Sequence, residues 1–555
     1  MKPSTTLSAA TALFLALACG PVTEQQSGGE VSRSWNPARV AEVDDVPVTA
    51  IRTEIEALLG AKPRFANDEQ WKHARTLYEP YQMSPLWMDD DGIIDKRSSA
   101  LVDALVTASG EGLAIDGYPL MEIAAVLDTL DGTEKPDAAL IARADVLLTT
   151  AYAALAEDYL TGQIDPKSVA QSWHIDPLEE KVDSSLARAL RQSDLAAAIG
   201  HMRPQDFDYE MLRRKLADYR AIVRAGGWPK VPDGKRLKPG DTAPAPRLQA
   251  MRTRLRAEGI ETGDSAGTTY DRSLAAGIAE FQERHAIGVD SMLGKETLDA
   301  LNVQAEFRLA QIAANLERYR WLPRTLGDRY ILVNVPAFRL QAFETGRKTL
   351  EMKVIVGSEF DERATPVFSD RMEFVVFQPY WNVTDNIAQN ELFPQFERTG
   401  MPADYEVYTD NGVRRLRQKP GPKNSLGLVK FMFPNDFNIY LHDTPNRELF
   451  EKDVRAFSHG CIRVEKPEEL AQWVLGWDAE RVRSAMHGSS NRHVNLPEKI
   501  PVYVAYMTAY VRNGELWFGN DLYRRDDQLA HAVWNGAIPS AHAARAVDAL
   551  RKLTD

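Results

Sequence analysis

The spacing of apolar residues changes once along the chain, near residue 326. Before that point apolar side chains recur every three or four positions, which is the period of a helix that packs on one face. One such stripe is formed by Leu140, Ala144, Leu147, Ala151 and Leu155. After that point short β-branched and aromatic runs such as RYILVNV alternate with turn residues, which indicates strands. The sequence therefore predicts a multidomain α+β fold with a helical first part and a β-rich second part.

Stretches rich in glycine and proline, together with this change of period, give the expected domain boundaries. In chain order we predict a signal peptide at 1–18, a flexible linker at 19–48, a helical scaffold domain at 49–240, a small three-helix domain at 241–303, a connecting helix at 304–325, a β-rich domain at 326–525 and a C-terminal helix at 526–555. The segment 385–430 inside the β-rich domain has an irregular pattern and contains KPGPKNSLG. Long insertions beside a site are often functional, so we expect this segment to be a capping lid.

The first eighteen residues have the features of an export signal. Lys2 precedes an apolar stretch, Leu7–Ala18, that is too short to span a bilayer. An Ala-Leu-Ala tripeptide that suits cleavage ends at Ala18, and Cys19 follows directly. The sequence LALAC resembles a lipoprotein box, so simple cleavage and a lipid anchor on Cys19 both stay open. We expect no later segment to be long and apolar enough to span a membrane.

The charge and the residue types of the chain argue against several classes of function. The net charge of −13 argues against nucleic acid or an anionic membrane surface as a partner, because both select a basic face. The ten histidines show no spacing typical of a metal site, which argues against a zinc peptidase. The Ser-x-x-Lys motif of serine penicillin-binding proteins is absent from the sequence.

The segment Phe457–Val464, FSHGCIRV, contains the one cysteine besides Cys19. A chain with a single cysteine in its body cannot form an internal disulfide there, so Cys461 is either a buried bystander or a reactive thiol. A thiol that acts as a nucleophile needs a base that removes its proton, and an adjacent histidine can lower the pKa of a thiol by several units. The neighbours of Cys461 therefore decide between the two interpretations.

A candidate base lies upstream, in the pattern FNIYLHDTP. Apolar and polar residues alternate there, so Tyr440 and His442 are predicted on one face of a strand and Leu441 on the other. We therefore expect His442 at a strand end, not buried with Leu441, and available to the thiol of Cys461. His459, two residues before the thiol, is an alternative base or a residue that shapes the turn.

The other groups that such a reaction needs have candidates close by. The backbone carbonyl of Asp443 is a candidate acceptor for the second imidazole nitrogen. The backbone N–H groups of Gly460 and Cys461, with the Tyr440 hydroxyl, are candidate donors to the oxyanion of a tetrahedral intermediate. Glycine at 460 also permits a positive φ or a close approach to a ligand. Arg463 suits a substrate carboxylate, and a structural ion pair stays equally open.

The pair HDTP and SHGCIRV resembles the signature of the L,D-transpeptidases, a histidine followed after a gap by Ser/Thr-His-Gly-Cys. NLERYRWLP, VNVPAF, PYWNV and PGPKNSLGLVKFMFPN are similar to further segments of that family's large periplasmic form from Gram-negative bacteria. The resemblance implies a helical scaffold, a peptidoglycan-binding domain at 241–303 and a catalytic domain at 326–525 with a capping insertion.

The segment 241–303 also resembles the three-helix peptidoglycan-binding repeat on its own. Phe281-Gln282 and the later run GKETL match the hallmarks of that repeat. Asp290-Ser291 departs from it, because the repeat has an Asp-Gly turn at this place. Retained sugar binding and a role as a helical spacer therefore both stay open.

The resemblance implies a specific reaction. Cys461 would attack the carbonyl at the L-centre of meso-diaminopimelate in a stem tetrapeptide, release D-alanine and hold the peptide as a thioester. An amine of a second stem would then form a 3→3 cross-link, with His442 moving the protons and the Asp443 carbonyl orienting the ring. The resemblance implies no metal and no cofactor, and carbapenems are expected to acylate the thiol of Cys461.

The resemblance also implies where the protein works and what it meets. Tyr380 and Trp381, within PYWNV, would bind substrate together with Arg463. The expected partners are peptidoglycan stem peptides and other cell-wall synthesis enzymes, in the periplasm. The alternatives are water or a lipoprotein lysine as the acceptor, or a wall-binding scaffold without catalysis.

Overall fold

The first part of the chain folds around one long helix. The structure is a computed structural model that describes residues 35–175, 181–264, 266–359 and 363–554. The predicted signal peptide, Cys19 and most of the predicted linker lie outside these residues. The helices of this part are α1 (Val48–Leu59), α2 (Asp68–Tyr78), α3 (Asp95–Thr107), α4 (Leu120–Asp131), α5 (Ala138–Thr161), α6 (Pro166–Val169), α7 (Val182–Leu190), α8 (Leu195–Gly200) and α9 (Phe207–Arg224). Its strands are β1 (Glu42–Val43), β2 (Val46–Pro47), β3 (Met88–Asp89), β4 (Gly92–Ile93) and β5 (Trp173–His174).

Helix α5 is the centre of the scaffold domain, and α1, α2, α3, α4 and α7 pack against it. The Asp137 side chain caps its first turn by accepting a hydrogen bond from the Leu140 amide at 2.8 Å. Contrary to the expectation from sequence, α5 is long and apolar enough to cross a membrane, but most of its apolar window is buried inside the domain. It also buries Asp145, which accepts hydrogen bonds from Tyr78 and two backbone amides. We therefore interpret α5 as a core helix.

A separate small core holds the three-helix domain together. It is formed by α10 (Ala245–Ala257), α11 (Arg272–Arg284) and α12 (Lys295–Leu301), whose buried residues include Leu248, Met251, Leu255, Leu274, Ile278 and Phe281. Gln282 is buried as well, and its amide group donates to the side chains of Asp290 and Thr297. Ser291 takes a φ of 58°, so the backbone keeps the left-handed turn even though the glycine of the repeat is missing. Gln282 thus stabilises this turn from inside the domain.

The β-rich domain is a closed sheet. The strands after residue 325 are β6 (Arg329–Asn334), β7 (Arg339–Glu344), β8 (Arg347–Gly357), β9 (Val367–Phe377), β10 (Trp381–Asn382), β11 (Tyr405–Asp410), β12 (Val413–Gln418), β13 (Val429–Met432), β14 (Leu441–His442), β15 (Ala456–Ser458), β16 (Ile462–Val464), β17 (Arg492–Ala505), β18 (Ala509–Arg512) and β19 (Glu515–Phe518). β13 pairs with β14 on one side and with β9 on the other, which closes the order β13-β14-β16-β8-β7-β6-β17-β9 into a barrel. The predicted α+β organisation is confirmed.

Elements from outside the predicted β-rich domain complete its core. β5 of the scaffold domain extends the sheet by pairing in parallel with the start of β9. Trp173 of β5 packs edge-on against Trp321, with ring centroids 5.0 Å apart. Helices α9 and α13 (Ala305–Arg320) pack against each other and against β18, and their buried residues belong to the same core cluster as the barrel. The predicted scaffold domain (49–240) and the predicted β-rich domain (326–525) therefore share one hydrophobic core.

The insertion at 385–430 is largely regular. Its elements are α14 (Asp385–Ile387), a π-helical turn (Ala388–Leu392), α15 (Phe393–Thr399) and the hairpin β11–β12, which pairs with β10. A small core of its own is formed by Val383, Ala388, Phe396 and Leu416. The expectation of an irregular segment is wrong, because these apolar residues pack together and order the chain around them.

The C-terminal segment forms three helices instead of the single helix predicted at 526–555. The helices after the insertion are α16 (Pro467–Leu475), α17 (Ala479–Met486), α18 (Asp526–Ala532), α19 (Trp534–Ala537) and α20 (Ala541–Thr554). Pro539 lies in the break before α20 and lacks the N–H that a continuous helix needs. α20 returns to the scaffold domain and packs on α3 and α4. Residues Pro37–Asp555 form one compact unit.

Candidate active site

Two short paired strands hold the predicted base and lead to the predicted nucleophile. β14 and β16 run in parallel, with His442 opposite Arg463. The Ile462 amide donates to the Tyr440 carbonyl at 3.1 Å, and the same register places Tyr440 beside Cys461. Opposed side chains on neighbouring strands lie on one face. These four polar residues therefore share a face, while the apolar residues between them fill the core.

His442 is buried, with 4% of its surface exposed, so the expectation that it is not buried is wrong. Its Nδ1 lies 2.6 Å from the carbonyl oxygen of Asp443. Because a carbonyl only accepts, Nδ1 carries the proton and Nε2 is left as the basic nitrogen. Burial, and then the charge of Arg463, lower the pKa of His442 to about 3. The imidazole is therefore neutral at neutral pH and able to accept a proton.

The carboxylate of Asp443 contacts the loop before β13. Its Oδ2 accepts a hydrogen bond from the Leu428 amide at 2.9 Å, and its Oδ1 accepts one from Arg447 at 3.3 Å. Gly427 in this loop has a φ of 62°, and a Cβ atom there would overlap the Asp443 carboxylate. Only glycine permits so close an approach in this conformation. The loop therefore holds the side chain of Asp443, while the backbone carbonyl of the same residue contacts the imidazole of His442.

Cys461 is a half-buried free thiol whose Sγ lies 3.7 Å from the Asn438 carbonyl. Burial raises the pKa of the thiol, and hydrogen bonds from Tyr440 and the charges of Lys430 and Arg463 oppose this rise without cancelling it. The thiol therefore rests protonated, which differs from the thiolate expected beside a histidine. The physical reason is that a neutral imidazole supplies no positive charge. Within the described ranges no hydrogen bond joins the thiol to the imidazole.

Two hydroxyl groups hold the loop that carries the nucleophile. Gly460 has a φ of 111°, a conformation that favours glycine. Its amide donates to the Ser458 hydroxyl at 3.2 Å, and that hydroxyl donates to the Cys461 carbonyl at 2.5 Å. Thr365 donates to the Gly460 carbonyl at 2.9 Å. The Gly460 amide, predicted as an oxyanion donor, is thus engaged by Ser458, which leaves the Cys461 amide and the Tyr440 hydroxyl as candidates.

A carboxylate of the insertion contacts the loop next to the thiol. Glu391, in the π-helical turn, lies 2.8 Å from Nε2 of His459 and accepts a hydrogen bond from Arg363 at 2.7 Å. π-helical turns are frequent at functional sites. His459 therefore contacts the insertion, and this contact favours a role in holding the insertion over the alternative role as the base.

The two aromatic residues predicted to bind substrate, Tyr380 and Trp381, pack with residues of the insertion. Trp381 belongs to β10 and meets Tyr405 edge-on, with ring centroids 6.5 Å apart. Tyr380 lies under the Arg417 guanidinium, 4.3 Å from the ring centroid. These contacts stabilise the insertion, and contact of either ring with a substrate stays a prediction.

Sequence reasoning missed Lys430, which lies directly opposite His442 on β13. Its Nζ lies 5.4 Å from the centroid of the Tyr440 ring. Lys430 is the one charged residue in the apolar run LGLVKFMF, and a lone charge within a strand is a signal that could have found it. Glu391 and Thr365 give no comparable signal, because their partners lie far away along the chain.

Metal-binding residues are the remaining class of candidate. The described residues contain no group of three or more His, Cys, Asp or Glu side chains arranged to hold a metal ion. The groups around the thiol are the hydroxyl groups of Ser458 and Thr365, the imidazole of His442 and the cations Lys430 and Arg463.

Comparison with protein-family models matches three segments of the chain. Residues 328–504 match the L,D-transpeptidase catalytic domain, and residues 72–216 match the Scaffold domain. Residues 244–301 match a model described as "Putative peptidoglycan binding domain". The face that carries His442 and Cys461 lies within the first of these segments.

Individual proteins that resemble the chain cover only part of it. A "Putative L,D-transpeptidase" of Haemophilus influenzae (strain ATCC 51907 / DSM 11121 / KW20 / Rd) is 33% identical over 250 residues, which is 40% of this chain and 50% of that protein. The chain thus matches about half the length of this relative.

Two solved structures also match. An L,D-transpeptidase from Xylanimonas cellulosilytica DSM 15894 matches at 15% identity, over 49% of this chain and 99% of that one, with a TM-score of 0.17. A fused Zn-dependent amidase/peptidase/peptidoglycan-binding domain-containing protein from Clostridium acetobutylicum ATCC 824 matches at 12% identity, over 49% and 100% of the chains, with a TM-score of 0.14. TM-scores this low do not show a shared fold.

Proposed function

Since the chain belongs to the L,D-transpeptidase family, in a form with a scaffold domain and a peptidoglycan-binding domain, we propose that it joins peptidoglycan stem peptides by 3→3 cross-links. The observation that carries the proposal is the parallel pairing of β14 with β16, which sets an oriented neutral imidazole and a free thiol on one face. Such a reaction takes place outside the cytoplasm, and we place it in the periplasm of a Gram-negative bacterium.

In the first half-reaction Cys461 attacks the carbonyl at the L-centre of meso-diaminopimelate in a stem tetrapeptide. The thiol rotates about its Cα–Cβ bond toward Nε2 of His442, which takes the thiol proton as the S–C bond forms. The Cys461 amide and the Tyr440 hydroxyl donate to the oxyanion. The imidazolium then gives its proton to the nitrogen of D-alanine as the C–N bond breaks, and a thioester stays on Cys461.

The burial of His442 suits this sequence of proton transfers. An imidazolium whose pKa is about 3 is a strong acid, so it returns its proton readily to the leaving amine. The Asp443 carbonyl holds Nδ1–H throughout, which keeps Nε2 directed at the reacting atoms. In the second half-reaction a side-chain amine of another stem attacks the thioester, His442 takes its proton, and that proton returns to the sulfur as the new amide forms.

A turnover assay with disaccharide tetrapeptide tests the proposal. The expected products are free D-alanine and a dimer linked between two meso-diaminopimelate residues, with a transient protein adduct equal in mass to the donor stem minus D-alanine. Cys461→Ala is expected to give neither product nor adduct. His442→Gln is expected to keep the fold and to lose about 100- to 10,000-fold in rate, because it removes the general base.

The same assay separates the alternatives for the acceptor. Release of D-alanine with a hydrolysed tripeptide and no dimer indicates a carboxypeptidase, and transfer to a lysine of an added lipoprotein indicates an anchoring enzyme. A carbapenem is expected to form an adduct on Cys461 that is missing from Cys461→Ala. A wild-type protein that releases no D-alanine and forms no carbapenem adduct is a wall-binding scaffold, and the proposal of catalysis then fails.

A further inference from the structure

A row of three basic side chains crosses the strands next to the nucleophile. Lys430 on β13 lies opposite His442 on β14, and His442 lies opposite Arg463 on β16. Directly opposed residues of neighbouring strands have their Cβ atoms about 5 Å apart. The two cations therefore flank the base on both sides, on the face that carries the thiol of Cys461.

Neither cation has a counterion in the part of the chain that the structure describes. No carboxylate there forms an ion pair with Lys430 or Arg463, and Nε of Arg463 is buried without a hydrogen-bond partner. Arg318, which is also buried, pairs with Asp526 at 2.6 Å, and the buried guanidinium groups of Arg247 and Arg455 donate to backbone carbonyls. Burial lowers the pKa of both Lys430 and Arg463, which indicates that both charged groups are held partly away from water.

Two unpaired like charges in a partly desolvated site cost free energy. An anionic ligand removes this cost when it binds, because it supplies the missing opposite charge to both groups. A carboxylate has two oxygens and accepts hydrogen bonds from an ammonium and a guanidinium at the same time. The arrangement therefore favours a carboxylate-binding subsite over a structural role.

We propose that Lys430 and Arg463 together bind the free α-carboxylate of the D-amino acid that leaves the substrate. The inference rests on the proposed function and adds Lys430 to the residues that determine specificity. Residues on one face of a strand repeat about every 6.5 to 7 Å, which is the step from Cys461 to Arg463. Only one nitrogen and one carbon separate the scissile carbonyl from the terminal carboxylate, so a carbonyl placed at Cys461 brings this carboxylate to the row of cations.

This subsite has two consequences for the reaction. It admits only stems that end directly after the scissile bond, because an extended or amidated stem has no negative charge at this position. The bound carboxylate also offsets the two positive charges beside His442, so the imidazole becomes a better base when the substrate is in place.

Binding to a protein that cannot react tests the inference apart from catalysis. Cys461→Ala is titrated by calorimetry with three tetrapeptides: one with a free C-terminus, one with a C-terminal amide, and one with the side-chain carboxylate of meso-diaminopimelate amidated. The C-terminal amide is expected to bind about 10- to 100-fold more weakly than the free acid, and the side-chain amide is expected to bind as well as the free acid. Adding Lys430→Met should reduce the preference for the acid to less than about 3-fold.

Two further variants serve as controls. Lys423→Met removes an exposed lysine of the insertion and should leave the preference unchanged. Lys430→Arg keeps the charge and should retain most of the preference, which separates a lost charge from a disturbed strand. Equal binding of acid and C-terminal amide, or an unchanged preference in Lys430→Met, would overturn the inference. Weaker binding of the side-chain amide alone would overturn the assignment to the leaving residue.

The outcome is distinguishable from failure of the proposed function. D-alanine release by the wild-type protein is measured separately with the same free acid. A clear preference for the acid in Cys461→Ala, together with no D-alanine release by the wild type, would refute the proposed reaction and leave the carboxylate subsite established. D-alanine release without any preference would refute the subsite and leave the reaction standing.

Discussion

At the residue scale, His442 and Cys461 share a strand face as two uncharged groups. Burial acts on them in opposite directions, since it lowers the pKa of the base and raises the pKa of the thiol. The neighbouring charges of Lys430 and Arg463 disfavour imidazolium and favour thiolate. An ion pair at rest is therefore not expected, and the proton moves only as the new bond to sulfur forms.

We predict that acylation of Cys461 by a carbapenem keeps its rate into the weakly acidic range. A base whose pKa is about 3 stays unprotonated at about pH 5, whereas an unperturbed histidine titrates near 6.5. The measurement is the second-order rate of adduct formation, followed by intact mass between about pH 4.5 and pH 8. Circular dichroism at each pH serves as the control for folding. A fall in rate centred near pH 6.5 would contradict the neutral buried base.

Replacement of Gly427 by alanine is expected to damage both stability and activity. The added Cβ would overlap the Asp443 carboxylate, and the positive φ is strained for any side chain. We expect a loss of about 1 to 3 kcal/mol in the free energy of unfolding and a fall in kcat of about 10-fold or more.

The matched control is Gly412→Ala. Gly412 has a φ of 79° and nothing within 4 Å of an added Cβ, so it reports the cost of backbone strain alone. Urea unfolding and steady-state kinetics are the two measurements. If Gly427→Ala and Gly412→Ala lose the same stability and keep the same kcat, the contact with Asp443 does not support the base.

At the element scale, the sequence predicted the features that depend on local patterns and did not predict those that depend on contacts between distant segments. Strand alternation placed Tyr440 and His442 on one face, because the period of a strand is a local property. It did not predict the burial of His442, because burial depends on what covers that face. The contact of Glu391 with His459 and the pairing of β5 with β9 join segments that are distant along the chain, so no local sequence pattern predicts them.

The contact between the insertion and the nucleophile loop leads to a prediction about Glu391. Glu391→Gln removes the charge that holds His459 and Arg363, so the insertion should separate more often from the loop. We expect kcat/KM to fall about 3- to 10-fold and hydrogen exchange in α15 to become faster.

Glu397→Gln provides the comparison, since Glu397 is an exposed carboxylate of the same insertion. Both variants are measured by hydrogen-exchange mass spectrometry and by steady-state kinetics. Equal exchange rates and equal kcat/KM in the two variants would show that the contact of Glu391 does not hold the insertion in place.

At the scale of the whole molecule, the scaffold domain is part of the support of the catalytic barrel. β5 lies in the sheet, Trp173 packs on Trp321, and α20 returns to pack on α3 and α4. His174 of the same strand lies against Phe437, with ring centroids 4.8 Å apart, and Phe437 precedes the residue whose carbonyl contacts Sγ of Cys461. Sequence boundaries drawn from composition cannot show such shared cores.

Replacement of Trp173 by alanine is expected to destabilise the barrel from outside its own sequence. Removing a fully packed tryptophan costs about 3 to 5 kcal/mol. The measurement is the midpoint of urea unfolding, followed by circular dichroism. Trp534→Ala, at a position that is 38% exposed, is expected to shift the midpoint far less. Equal midpoints for Trp173→Ala and the wild type would show that β5 is dispensable.

α20 packs on the scaffold domain, and β5 of the scaffold domain belongs to the sheet of the barrel. These two contacts prevent a hinge motion between the scaffold domain and the barrel. Because Arg284 of α11 also pairs with Glu515 of β19 at 3.2 Å, a glycan strand held at 241–303 would present to the thiol only those stems that project at one set distance along it. The distance between the three-helix domain and the thiol would then set the spacing of cross-links along a glycan strand. Random encounters between stems and the enzyme would contribute little to this spacing.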